Sequence, residues 1–89
     1  MLPDNLPPQN LDAEMSILGA VFMDGSALDR VAALIDVTDF YREAHRKIYQ
    51  AMLTLSDKNE PCDFVMMTNY LKADGTILQW ETFLSEFGR

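Results

Sequence analysis

The sequence predicts an all-α fold, a compact orthogonal bundle of about five to six short helices. Three observations carry that prediction. Apolar residues recur with helical spacing in every long segment. Helix starts and stops alternate along the chain at Asn10, Asp24-Gly25-Ser26, Asp36 to Asp39, Asp63 and Asp74-Gly75. No alternating strand pattern and no internal repeat interrupts them. The 89 residues allow one domain with one hydrophobic core and a radius of gyration of roughly 12 Å. An apolar fraction of 48% with 24% charged residues is globular composition rather than disorder.

Residues 1–9 hold three of the four prolines (Pro3, Pro7, Pro8) and read as an extended Pro-rich leader; the helical domain spans 10–89. Asn10 is placed to cap the first helix, with Asp12 and Glu14 favourable at its positive end. Leu11, Met15, Leu18 and Phe22 form a narrow stripe on it, widened by Ile17 and Val21. Gly19 and Ala20 lie off the stripe, where small residues let another helix approach. A second helix, capped by Asp24 or Ser26, shows Leu28, Val31, Ala32 and Ile35 on one face.

The longest helix is expected from about Phe40 to Leu55, with Thr38 or Asp39 as its cap. Tyr41, Ala44, His45, Ile48, Tyr49, Met52 and Leu55 share one side of it. Arg42, Glu43, Arg46, Lys47 and Gln50 occupy the other. Ser56 to Pro61 is a polar loop, and Pro61 delays helix until after Cys62. Asp63 caps a helix over Phe64–Ala73, which Asp74-Gly75 ends. Beyond it Trp80, Phe83, Leu84 and Phe87 fit a last short amphipathic helix.

Charge and composition exclude several function classes. Fourteen acidic residues oppose seven basic ones, for a net charge of −7. Residues 1–44 hold eight acids against Arg30 and Arg42, a net −6, and residues 45–89 a net −1. Binding to nucleic-acid phosphates needs clustered Lys and Arg, so no direct DNA binding is expected of this domain alone. The acidic half instead suits a basic protein partner. One cysteine cannot form an internal disulfide, which fits a reducing, cytoplasmic setting. No apolar run approaches a membrane span, and the start lacks the pattern of a signal peptide.

Candidate chemistry is sparse. No glycine belongs to a phosphate-binding G-x-x-x-x-G-K-[ST] loop, and one His and one Cys, seventeen residues apart, do not make a metal site. His45 is the only plausible general base, but it falls in the middle of an apolar face with no nucleophile in view. A buried, hydrogen-bonded imidazole is the expected reading. Arg42, Arg46 and Lys47 form a basic flank, either a solvated face or a docking patch. Met66 and Tyr70 extend the apolar arc of the Phe64–Ala73 helix beyond its core stripe of Phe64, Met67 and Leu71. Such surplus marks either a partner contact or internal packing.

Several strings together resemble one family. Leu6-Pro7-Pro8-Gln9-Asn10-Leu11-Asp12-Ala13-Glu14-Met15-Ser16-Ile17-Leu18-Gly19-Ala20 is similar to the opening of bacterial DnaB-type replicative DNA helicases. That opening follows a Pro-Pro-x-Asn-x-Glu-Ala-Glu-x-x-x-Leu-Gly pattern. The likeness continues in Leu28-Asp29-Arg30-Val31 and in Asp39-Phe40-Tyr41-Arg42-Glu43-Ala44-His45-Arg46-Lys47-Ile48-Tyr49. It returns in Glu60-Pro61-Cys62-Asp63-Phe64-Val65, so it spans about residues 6–75. Three departures stand out. Gly25 replaces a common proline, Met66 and Tyr70 replace residues usually polar, and Gln79-Trp80-Glu81 replaces a Gly-Gly turn.

The resemblance implies a non-catalytic amino-terminal head for assembly of a hexameric ring and for docking primase or a helicase loader in the primosome. Unwinding would belong to a carboxy-terminal ATPase domain holding ATP and Mg²⁺, absent from this stretch, as is the helical dimerisation hairpin. This chain itself is expected to need no cofactor. Its implied core includes Leu18, Phe22, Phe40, His45 and Ile48. Candidate partner contacts are Met66, Tyr70, Arg42, Arg46 and Lys47. The altered tail keeps one alternative open, a stand-alone phage or mobile-element adaptor that mimics the helicase head.

Overall fold

The computed structural model describes residues 11–88. Five α-helices make up most of them: α1 (Leu11–Met23), α2 (Ala27–Leu34), α3 (Glu43–Asp57), α4 (Phe64–Asp74) and α5 (Ile77–Phe87). A 3-10 turn, Val37–Asp39, lies between α2 and α3, and no strand occurs among the described residues. The Pro-rich leader and the Asn10 cap fall outside them. The Cα radius of gyration, 12.6 Å, matches a single compact domain.

α3 is the centre of the bundle, packed by α1, α2, α4 and α5. Its apolar stripe explains why. His45, Ile48, Tyr49, Met52 and Leu55 recur at helical spacing and are all buried, together with Ala51. α1 lays Leu18 and Val21 on this core, and α4 contributes Met67 and Leu71. α5 closes it with Trp80 and Phe83. Trp80 stacks on Phe83 at 5.6 Å and meets the edge of Phe22 at 5.3 Å between ring centroids. Its indole N–H donates to Thr68 Oγ1 at 2.9 Å, tying α5 to α4.

Of the expected core set, Leu18, Phe40, His45 and Ile48 are buried; Phe22 is half-buried against Trp80 and Phe87. Gly19 is buried in α1. A Cβ there would overlap the Phe87 ring, so the absent side chain makes room for α5. Ala20 and Ala32 are exposed. The apolar side of α2 is instead Ala27 and Leu28, both buried, with Val31 and Ile35 half-buried.

Helix ends follow local chemistry at α4 and just before α2. Asp63 Oδ1 accepts from Met66 N at 2.9 Å and starts α4. Gly75 at φ 82° ends it, with Thr76 N donating to Leu71 O at 2.8 Å. Before α2, Asp24 Oδ1 accepts from both Ser26 N and Ser26 Oγ. Those two hydrogen bonds hold the Asp24 carboxyl below its ordinary value.

The start of α3 departs from expectation. The helix begins at Glu43, not Phe40, and neither Thr38 nor Asp39 caps it. Asp39 Oδ2 instead accepts from Asp36 N at 2.8 Å, and Phe40 N donates back to Val37 O. This consumes the polar break in a 3-10 turn. Phe40 and Arg42 are then extended, with ψ 133° and 130°, because the N–H groups of Tyr41 and Arg42 are taken by a carboxylate from α1. Tyr41, off the helix, is exposed rather than in the core. Phe64, at the first turn of α4, is exposed too.

Tyr49 joins α3 to the end of α2, its hydroxyl donating to Ile35 O at 2.7 Å. Burial first, then the Asp36 and Asp39 carboxylates, push its phenol above the ordinary 10.0. The unfolded chain therefore releases this proton at lower pH than the folded one. The stability contribution is complete below about pH 10 and is lost as pH rises through the folded value. Denaturant titrations should show Tyr49→Phe costing about 1 kcal/mol at neutral pH, the usual net value of one hydrogen bond. Between pH 9 and 11, which straddles that ordinary 10.0, the variant should lose stability less steeply than the parent; an equal slope would contradict the assignment.

Candidate functional site

α1 supplies the group that organises the middle of the molecule. Glu14, only 6% exposed, accepts from Tyr41 N at 2.6 Å and from Arg42 N at 3.5 Å. His45 Nδ1 lies 2.8 Å from its Oε1. With hydrogen on Nδ1 the imidazole donates to this carboxyl group. The His45 ring is buried, edge-on to Phe40 and Phe83. No substrate reaches it, and its partner is a structural carboxylate rather than a nucleophile. Cys62 is equally withdrawn: its thiol points at Met52 O, and burial, with Asp63 nearby, pushes it above its ordinary value. Among the described residues, no three His, Cys, Asp or Glu side chains gather as a metal site. No described helix is long and apolar enough to cross a membrane.

The other charged and apolar candidates lie at the surface. Arg42 Nη1 pairs with Glu86 at 3.2 Å. Arg46 donates from Nε to Phe40 O at 2.7 Å and from Nη2 to Tyr41 O at 3.1 Å. Lys47 Nζ lies 3.9 Å from Glu43 on the next turn. All three cations thus have partners within the chain, and Arg46 acts as a clasp on the extended 40–41 segment. Met66 and Tyr70 are half-buried and pack against the core. The apolar surface that α4 leaves open is Phe64 and Val65, 55% and 59% exposed.

Two clefts meet at the Arg42–Glu86 pair. One, of about 540 Å³, runs between the first turns of α1 and the end of α5; Leu11, Met15 and Phe87 line it together with the pair. The other, of about 330 Å³, is lined by Ala44, Leu78, Gln79 and Thr82 besides the pair. Neither includes Met66 or Tyr70, so the expected contact residues do not form one site. Met23, Leu34, Val65 and Leu78 are exposed apolar residues that periodicity did not single out, and Phe64, expected in the core stripe of its helix, is exposed as well. Phe64 stands in the first turn after the Asp63 cap, where the helix has not yet met the core that buries Met67 and Leu71.

The comparisons with known proteins agree with this picture. A family model described as "DnaB-like helicase N terminal domain" matches residues 6–87. The chain is 49% identical over 71 residues to "Replicative DNA helicase DnaC" of Bacillus subtilis (strain 168), covering 80% of this chain. It is 44% identical over 73 residues, 82% of the chain, to "Replicative DNA helicase DnaB" of Geobacillus stearothermophilus. A third relative of the latter name, from Synechocystis, is 43% identical over 67 residues, 75% of the chain and 8% of its own length. For the first two relatives the matched region is 16% of their length.

Proposed function

Because the chain belongs to the family of DnaB-like helicase N-terminal domains, we propose that it is an assembly and docking module of a replicative DNA helicase. In that role it helps subunits gather into a hexameric ring and receives primase or a helicase loader within the cytoplasmic primosome. Unwinding, with ATP and Mg²⁺, then belongs to a separate carboxy-terminal part of the parent protein.

The family match over residues 6–87 carries this reading. The physical features support it. The family domain is non-catalytic, the one histidine is buried against Glu14, and the acid excess disfavours DNA. Exposed Leu78 in one cleft and half-buried Leu11, Met15 and Phe87 in the other suit protein contacts. Titrating the chain with primase and with a loader, by calorimetry, tests docking. Saturable one-to-one binding is expected from at least one of them. Absence of binding by both, to this chain and to a longer one carrying the following segment of the relatives, would remove the docking role.

A further inference from the structure

The end of α2 carries a surface that no role described so far uses. A small cleft of about 120 Å³ is lined by Ala32, Ala33, Leu34, Ile35, Asp36 and Asp39. Four of these six carry apolar side chains, yet the wall is mostly polar. Main-chain atoms at the helix end, with the two carboxylates, therefore form it. The carbonyls of Ala32, Ala33 and Leu34 receive no backbone hydrogen bond among the described residues, as is usual for the last turn of a helix. These carbonyls form the negative end of the helix dipole. Asp36 and Asp39 are in no ion pair among the described residues, and their field is felt at Tyr49. Beside this acceptor-only cleft stands Leu34, 83% exposed, the most exposed large apolar side chain described.

We infer that this α2 end is a docking surface for a basic segment of a partner protein, one that places an Arg or Lys in the cleft and an apolar side chain on Leu34. The inference rests on the docking role proposed above and names its surface and the partner's chemistry. Charge complementarity selects the occupant. Residues 24–39 carry four Asp against one Arg, and a helix C-terminus favours cations. Among the described residues a second copy of this chain offers no basic segment. Arg42, Arg46 and Lys47 are engaged internally, Arg30 sits on α2 itself, and Lys58 and Lys72 lie far apart in sequence on separate elements. The segment is also held in shape, by Tyr49 on Ile35 O and by Asp39 on Asp36 N, so docking requires little ordering.

The test uses isotope-labelled chain and a short helical peptide of Leu, Lys and Arg, read by amide chemical shifts. Shifts should concentrate on residues 32–39 and weaken with added salt. Asp36→Asn should weaken binding roughly fivefold, the upper range for one exposed pair. Ala33→Arg, a replacement a helix tolerates at little cost, should weaken it roughly tenfold or more by placing like charge in the cleft. Ala13→Arg on α1 makes the same net charge change and should matter far less. Shifts centred elsewhere, or equal losses from Ala13→Arg and Ala33→Arg, would overturn the inference. Primase and loader separate the two readings. A partner that binds the chain but ignores Ala33→Arg overturns this surface and leaves docking standing. A peptide seated on 32–39 while both proteins fail to bind supports the surface and counts against the docking role.

Discussion

Replacing Glu14 with alanine lowers the unfolding free energy by about 3 kcal/mol, because it strands several donors at once. Tyr41 N, Arg42 N and His45 Nδ1 all face this carboxylate, and water has little access to a group 6% exposed. In a domain of this length the loss corresponds to a melting temperature lower by more than about 10 °C. Glu14→Gln keeps one acceptor oxygen but sets an NH₂ against the remaining donors, for a cost of about 1–2 kcal/mol. The effect is local in origin. Amide exchange should speed first at Tyr41 and Arg42, and the extended 40–42 segment should lose its fixed entry into α3. Thermal unfolding of the two variants checks the order. An alanine variant as stable as the parent would show that the carboxylate does not organise this junction.

Trp80→Ala is expected to cost about 4 kcal/mol, in the range measured for emptying a large aromatic site. The residue has no solvent exposure. It stacks on Phe83, meets Phe22 edge-on and bonds to Thr68. Its removal therefore loosens α5 from α1 and α4 together, a large share of the ~5–15 kcal/mol that holds a typical domain. Trp80→Phe retains most of the ring contact and loses the indole bond, for about 1–2 kcal/mol. Denaturant midpoints at unchanged slope would separate a stability loss from a change of the unfolded state. Trp80→Ala at parental stability would mean that α5 contributes little to the core.

These two residues show how differently the sequence disclosed its parts. Trp80 was legible: Trp80, Phe83, Leu84 and Phe87 recur at helical spacing, and that periodicity is a local property. Glu14 was not. It sits beside Asp12 in the first turn of a helix, where any acid is favoured by the dipole. Its true partners lie 27, 28 and 31 residues away. The same distance problem displaced the start of α3. Thr38 and Asp39 are good caps by composition, but Glu14 captures the next two amides and keeps the chain extended. Arg42, Arg46 and Lys47 looked like a patch because charge was visible and its partners, Glu86, two carbonyls and Glu43, were not all local.

By itself the sequence determined the helical class, the Asp63 and Gly75 ends of α4, the buried stripe of α3 and the family to which the chain belongs. Those follow from spacing, capping chemistry and strings of residues, all readable along one dimension. Only the tertiary structure decided which polar groups are spent inside. It committed Glu14, His45 and Arg46 to the junction before α3, turned Met66 and Tyr70 partly inward, and left Phe64, Val65 and Leu34 open. The physical reason is that burial and hydrogen-bond partnership depend on which helix arrives opposite, and that is set by the packed core as a whole.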